Sequence, residues 1–173
     1  MVSGTADFSP CQRYRYALTR SWDATKPDLL VVMLNPSTAD AVNDDPTIRR
    51  VRGFAESWGY GGARIMNLFA LRATCPSFIR YDEDPVGPQN NGHLRAALQA
   101  AVSASQPVLA AWGTHGWLWQ RQFAVVHLVD GVQWICLGKT KCGSPKHPLY
   151  VAAATQPQPF GPFAKPRAAG GGA

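Results

Sequence analysis

The chain has 173 residues, which suffices for one domain with a single hydrophobic core and is too short for two domains of ordinary size. Its 17 Lys and Arg outnumber its 11 Asp and Glu, and the resulting net charge of +6 favours polyanionic partners. A hydrophobic content of 46% excludes disorder for most of the chain. Neither a long apolar run nor the charged-then-apolar order of a signal peptide is present, so we expect a soluble, cytoplasmic protein with no membrane partner. We also expect it to be a monomer.

Cysteines and histidines, four of each, are scattered along the chain. They form neither a Cys-x-x-Cys pair nor a His pair at metal-ligand spacing, so the sequence indicates no zinc site and no disulfide framework. We therefore predict no metal and no cofactor.

Strand and helix patterns alternate along the chain. A period-two pattern over residues 14–20 predicts a half-buried edge strand, and an unbroken apolar run at 29–34 predicts the central strand of a parallel sheet. Apolar residues at helical spacing follow a cap-like start at Asp44 and predict a helix that ends at Gly59. Further strands are predicted at 64–69, 108–112 and 132–137, and further helices at 94–102 and 117–126.

This alternation predicts the fold class. Strands joined through helices pair in parallel, so we expect an α/β/α three-layer sandwich with a central, mainly parallel four-stranded sheet and an N-terminal edge strand. The chain divides into an N-terminal arm (1–12), a single domain (13–155) and a tail (156–173). The tail is rich in Pro, Ala and Gly, and we predict that it is disordered.

Ligands of such sheets bind outside the carboxyl ends of the strands. Four segments leave those ends in the predicted fold: 35–38, 67–69, 112–115 and the loop that reaches 146–149. Asn35 is followed by a proline and could orient water or a ligand; the alternative is an ordinary strand-ending turn. Asn67 lies among apolar neighbours, where the edge of a base could satisfy its carboxamide. His147 could equally be an exposed surface imidazole.

Several enzyme classes lack their motifs in this chain. It has no G-x-S-x-G elbow, no Walker loop, no G-x-G-x-x-G after a strand and no zinc deaminase signature. Serine hydrolases, P-loop nucleotide hydrolases, dinucleotide enzymes and zinc deaminases are therefore disfavoured.

Five short phrases occur in a recognisable order: MLNPSTAD at 33–40, DDPTIRR at 44–50, WGYG at 58–61, NLFA at 67–70 and HPLY at 147–150. Over about residues 13–155 they resemble the bacterial and phage family known as domain of unknown function 1643. The same order resembles the uracil-DNA glycosylase superfamily, which has an α/β/α fold. The matching positions are Asn35-Pro36, Asn67, Trp112-Gly113 and His147-Pro148.

The second resemblance implies a DNA repair enzyme of base excision. It would hydrolyse the N-glycosidic bond of uracil or a modified pyrimidine flipped out of DNA, single-stranded DNA included. Asn35 would position the attacking water and His147 would stabilise the departing base. Its implied base-binding residues are Pro36, Ser37, Asn67 and Phe69. Its implied DNA contacts are Lys139, Lys141, Ser144, Lys146 and the wedge Leu149, and Arg49 on the first core helix is a further candidate DNA contact.

The chain also departs from that superfamily. An asparagine at position 35 cannot deprotonate water, so a general base would have to come from Asp40, Asp44 or Asp45. The aromatic residue that usually stacks on the base is missing from 38–50, which leaves Phe69 or Tyr60 as substitutes, or a base other than plain uracil. The cysteines do not match the superfamily's iron–sulfur ligands, so no cluster is expected.

Three functions remain open on the sequence. The first is the glycosylase, and the second is a module of the same fold that binds a base, nucleotide or DNA without cleaving it. An enzyme acting on free nucleosides is the third. Arg49, Arg50 and Arg52 form a basic helix face that is either a nucleic-acid contact or an ordinary solvated surface.

Overall fold

The computed structural model describes residues 3–37 and 43–161, and Asp40 lies outside them. The described chain is an α/β protein built on one seven-stranded mixed sheet. The strands are β1 Ser3–Phe8, β2 Arg15–Ser21, β3 Asp28–Met33, β4 Gly62–Asn67, β5 Val108–Ala110, β6 Trp134–Cys136 and β7 Gln158–Pro159. The α-helices are α1 Pro46–Ser57, α2 Asn90–Ser103 and α3 Arg121–Val126, and short 3-10 helices cover Pro76–Tyr81, Thr114–Gln120 and Pro148–Tyr150.

The sheet has the order β1-β2-β4-β3-β5-β6-β7. Its four central strands, β4-β3-β5-β6, pair in parallel, which confirms the predicted parallel core. The outer pairs are antiparallel. The predicted edge strand is instead internal, because β2 pairs with β1 on one side and β4 on the other.

Helices cover both faces of the sheet. Side chains of β3 alternate: Leu29 and Val31 pack in one core cluster with residues of α1, whereas Leu30 and Val32 pack in another with residues of α2 and α3. Both faces of the central strand are thereby buried, which is why its sequence is an unbroken apolar run. Among the described residues, no helix has the length and apolar character needed to span a bilayer.

The sheet includes residues on both sides of the predicted domain, 13–155. The supposed N-terminal arm contributes β1, whose small and polar residues give no apolar strand pattern. The first part of the supposed disordered tail contributes β7, and Phe160 is buried with its ring 5.8 Å from that of Trp112. A single aromatic residue thus packs into the core from a segment whose composition predicts disorder. The remainder of the predicted tail, 162–173, lies outside the described residues.

The predicted helix at 117–126 is also shorter than expected. Regular helix begins only at Arg121, after a 3-10 segment in which Trp119 and Gln120 have φ of 47° and 54°. This left-handed backbone breaks the helix although the apolar spacing runs through it.

Candidate functional site

A cavity of about 700 Å³ lies at the carboxyl edge of the parallel strands. Asn35, Asn67, Gly113 and His147 all line it, so each of the four predicted segments contributes to one site. The neighbouring strands β3 and β5 lead to helices on opposite faces of the sheet, which opens a crevice between their ends. The topology therefore explains why the cavity forms here.

Asn67 ends β4, and the amide donor of its side chain has no partner among the described residues. The residue is 1% exposed, and its buried Nδ2 has no hydrogen-bond acceptor among the described residues. Leaving a buried amide donor unpaired costs about 1–3 kcal/mol. Because Asn67 also lines the cavity, its carboxamide is suited to a polar ligand there.

Buried polar side chains fix the backbone that carries Asn67. Asn90 Nδ2 donates to the carbonyls of Asn67 and Leu68, 3.1 Å from each, and Arg121 Nε donates to Leu68 at 2.7 Å. Burial lowers the pKa of Arg121 to about 10, so the guanidinium remains charged at neutral pH. The Asn67 side chain thus projects from a rigid strand end.

The Asn35 carboxamide is oriented by two carbonyls. Its Nδ2 donates to Pro36 O at 3.0 Å and to Ala73 O at 2.8 Å. The bond to Pro36 is the local contact expected of a turn, whereas the bond to Ala73 joins two separate loops. Both amide hydrogens are used, so the group left to a ligand is the acceptor Oδ1.

His147 is half-buried and lines the cavity, so it is not a free surface imidazole. Its Nδ1 accepts a hydrogen bond of 3.3 Å from Leu149 N. The proton of the neutral ring is therefore on Nε2, which can donate. Burial lowers the pKa of His147, although nearby Asp45 opposes that shift, so the site favours the neutral form of the ring.

Arg50 supports the loop that carries His147. Its guanidinium donates to the carbonyls of Pro148 and Val151 and lies over the ring of Phe54. Arg52 pairs with Glu56 at 2.8 Å, while Arg49 is exposed and donates to Asp44 O. Within the predicted basic helix face, Arg50 thus stabilises the loop that carries His147.

The described acidic candidates have different surroundings. Asp44 pairs with Arg20, whose side chain is 3% exposed, at 2.7 Å. Asp45 caps α1 by accepting from Ile48 N at 2.9 Å, and it lines the cavity. Of the two described acidic candidates, Asp45 is therefore the one placed to act as a general base. Asp44 instead pairs with a buried arginine.

Replacing Asp44 by asparagine is expected to lower the free energy of unfolding by roughly 2–3 kcal/mol, because a neutral amide then replaces a carboxylate that pairs with the buried Arg20 guanidinium. Asp45→Asn is the matched control, because asparagine caps a helix as well as aspartate does. Urea unfolding of both variants measures the difference. Equal losses of stability in the two variants would contradict these assignments.

The other predicted site residues fall into two groups. Ser37, Lys146 and Leu149 line the cavity. Lys139 and Lys141 are exposed on the same loop as Lys146.

Three predicted contacts are not supported by their surroundings. Phe69 is fully buried with its ring edge-on to Trp119, so its ring is not available to a base. Pro36 is buried beside the cavity and does not line it. Ser144 is 1% exposed and its hydroxyl accepts from Trp117 Nε1 at 2.8 Å, so little of its surface is open to a phosphate.

Sequence reasoning missed several residues of the cavity wall. Arg15, Thr140 and His115 line it without belonging to any motif. Tyr150 also lines it, and its place in the HPLY phrase was the available signal. The described residues contain no group of three or more His, Cys, Asp or Glu that could hold a metal ion.

Fold and site together define an α/β protein with a cavity at the carboxyl edge of its parallel strands, into whose mixed apolar and polar wall Asn35, Asn67 and His147 are built. Residues 15–149 match the family described as "Protein of unknown function (DUF1643)", and the chain belongs to this family. No curated protein and no solved structure matches the chain.

Proposed function

We propose that this protein is a DNA glycosylase-like enzyme that hydrolyses the N-glycosidic bond of uracil or a modified pyrimidine flipped out of DNA. In this proposal the fold is a three-layer α/β/α sandwich of the uracil-DNA glycosylase type. The observation that carries it is the buried carboxamide of Asn67, whose Nδ2 has no acceptor among the described residues, in one cavity with Asn35, Asp45 and His147.

Base recognition follows from the chemistry of a carboxamide. It offers one donor and one acceptor side by side, and a uracil-like edge offers a carbonyl oxygen next to a ring N–H. Such an edge forms hydrogen bonds with both the amide N–H and the carbonyl oxygen of the Asn67 side chain. The rigid strand end around Asn67 favours this selectivity, because little ordering is needed on binding.

The remaining residues supply the hydrolysis. A water oriented by Asn35 Oδ1 attacks the sugar carbon C1′, the bond from C1′ to the base nitrogen breaks, and its electron pair leaves with the base. His147 Nε2–H donates to the base oxygen on which negative charge develops. Asp45 takes the proton of the water and returns it to solvent, from which the departed base is protonated.

Asp45→Asn tests the role of the carboxylate without disturbing the helix cap. We expect base release to slow by roughly 10²–10⁴-fold, the usual contribution of a general base, with stability unchanged. Single-turnover rates at saturating enzyme measure the effect. A rate within about threefold of wild type would remove Asp45 from the mechanism.

The activity itself is tested with a panel of oligonucleotides, single- and double-stranded, that contain uracil, hydroxymethyluracil or other modified pyrimidines. Alkaline cleavage then reveals abasic sites. We expect strand breaks at the modified position and none in a thymine-containing control. Intact strands across the whole panel would refute the glycosylase.

Two observations favour a second candidate, a module that binds a base or DNA without cleaving it. Asn35 carries no carboxylate, and neither Phe69 nor Tyr60 lines the cavity to stack on a base. Salt-sensitive oligonucleotide binding without abasic product would support this alternative, whereas salt-independent binding of a free nucleoside or nucleotide would indicate metabolism of small molecules.

A further inference from the structure

Exposed hydrophobic side chains are concentrated on three segments around the cavity, which we call the rim segments: residues 72–81, 112–120 and 138–150. Each segment also contributes residues to the cavity wall. Six of the seven large hydrophobic side chains exposed in the described chain belong to the rim segments. They are Phe78, Tyr81, Trp117, Trp119, Leu149 and Tyr150.

The rim segments also have a distinctive charge. They contain five Lys or Arg residues and no Asp or Glu, although the whole chain has 11 acidic residues. All five basic residues are exposed: Arg72, Arg80, Lys139, Lys141 and Lys146. The five make no salt bridge among the described residues, although Asp82, Glu83 and Asp84 directly follow Tyr81. A surface of exposed aromatic rings among such positive charges complements a polyanion with apolar faces better than it does an apolar protein partner.

We propose that the rim segments bind single-stranded DNA in preference to duplex DNA, with unpaired bases stacked on Tyr81 and Tyr150. Both tyrosines are 83% exposed, so their ring faces are accessible. Aromatic rings that alternate with basic residues are the usual platform for single strands, because only unpaired bases expose a face for stacking. Duplex DNA would meet the same charges without that contribution.

The position of Tyr150 links this surface to the cavity. Tyr150 and the neighbouring Leu149 both line the cavity, and the Tyr150 ring centroid lies 5.7 Å from that of His147. A base stacked on Tyr150 would therefore be adjacent to one inserted toward Asn67. This inference names the substrate form and rests on the proposed function.

The binding test uses labelled oligothymidine of about 15 nucleotides, its duplex with oligoadenosine, and oligouridine RNA. We expect fluorescence anisotropy to show oligothymidine bound at least about tenfold more tightly than the duplex, with affinity that falls as salt rises. Tyr81→Ala and Tyr150→Ala should each weaken binding by about fivefold or more. Val102→Ala is the matched control, because Val102 is the exposed hydrophobic residue outside the rim segments, and it should bind as wild type does.

Equal affinity for single strand and duplex, tighter binding of the RNA, or wild-type affinity of both tyrosine variants would overturn the proposal. The proposal would also be overturned if the tyrosine variants altered self-association on a sizing column but not the affinity for DNA. Oligothymidine contains no uracil, so the outcome is independent of base release. Base release without single-strand preference would refute the rim proposal alone, and single-strand binding without base release would refute the glycosylase alone.

Discussion

Replacing Asn67 by leucine is expected to abolish base release and leave the fold as stable as the wild type, or more stable. Leucine has nearly the same shape and removes a buried amide donor that has no acceptor among the described residues, so the change is neutral or stabilising by about 1 kcal/mol. The loss of a hydrogen-bonding site for the base should lower the rate by at least roughly 10³-fold, because the buried base edge would then be unpaired. Single-turnover base release and urea unfolding give the two values.

Asn90→Leu is the matched control for the stability result. Asn90 is also a fully buried asparagine, but its Nδ2 donates to two backbone carbonyls. Its loss should destabilise the fold by about 1–3 kcal/mol. If Asn67→Leu destabilised the fold by as much as Asn90→Leu does, the Asn67 carboxamide would have a structural partner and our central argument for a ligand would fail.

His147→Gln is expected to slow base release by roughly 10²–10³-fold, the range found when one donor to a developing oxyanion is removed. Glutamine can still donate, but it lacks the ring whose Nδ1 is fixed by Leu149 N, so its donor is not held in place. Single-turnover rates at pH 8 measure the effect. An unchanged rate would exclude His147 from the chemistry.

The pH dependence of His147 provides a second measurement. Burial lowers its folded pKa below the unfolded value of about 6.5, so between these two pKa values the unfolded chain binds more protons than the folded chain. The contribution of His147 to stability is therefore constant above that window and falls as the pH drops through it. Urea unfolding from pH 8 to pH 5 should show a smaller acid loss for His147→Gln than for wild type. An identical loss in both would contradict a depressed pKa.

The fold was largely predictable because the strands of the core are buried and their sequences are correspondingly apolar. The apolar run of β3 and the Asn-Pro pair that ends it predict a central parallel strand, and the structure has one. β1 and β7 were not predictable, because their residues are mostly small or polar and their places in the sheet depend on pairing with β2 and β6. Non-local pairing of this kind leaves no apolar pattern in the segment itself.

The candidate site was predictable as a set of loops but not as a set of contacts. Asn35, Asn67 and His147 follow strands in the sequence, and the parallel topology brings them to one cavity. Sequence alone could not separate Asp44 from Asp45, which are adjacent, because the difference lies in Arg20, more than 20 residues away. It also could not show that Ser144 and Phe69 are buried, because Ser144 lies among the lysines of the loop that leads to His147 and Phe69 belongs to the NLFA phrase.

Direct identification of the released base tests the central claim most sharply. Wild-type protein and Asn67→Leu would be incubated with a single-stranded oligonucleotide carrying one uracil, and the small-molecule fraction analysed by mass spectrometry. We predict free uracil with a matching abasic strand for the wild type, and neither product for Asn67→Leu. An intact wild-type substrate, or equal release by the variant, would contradict the proposed role of this cavity.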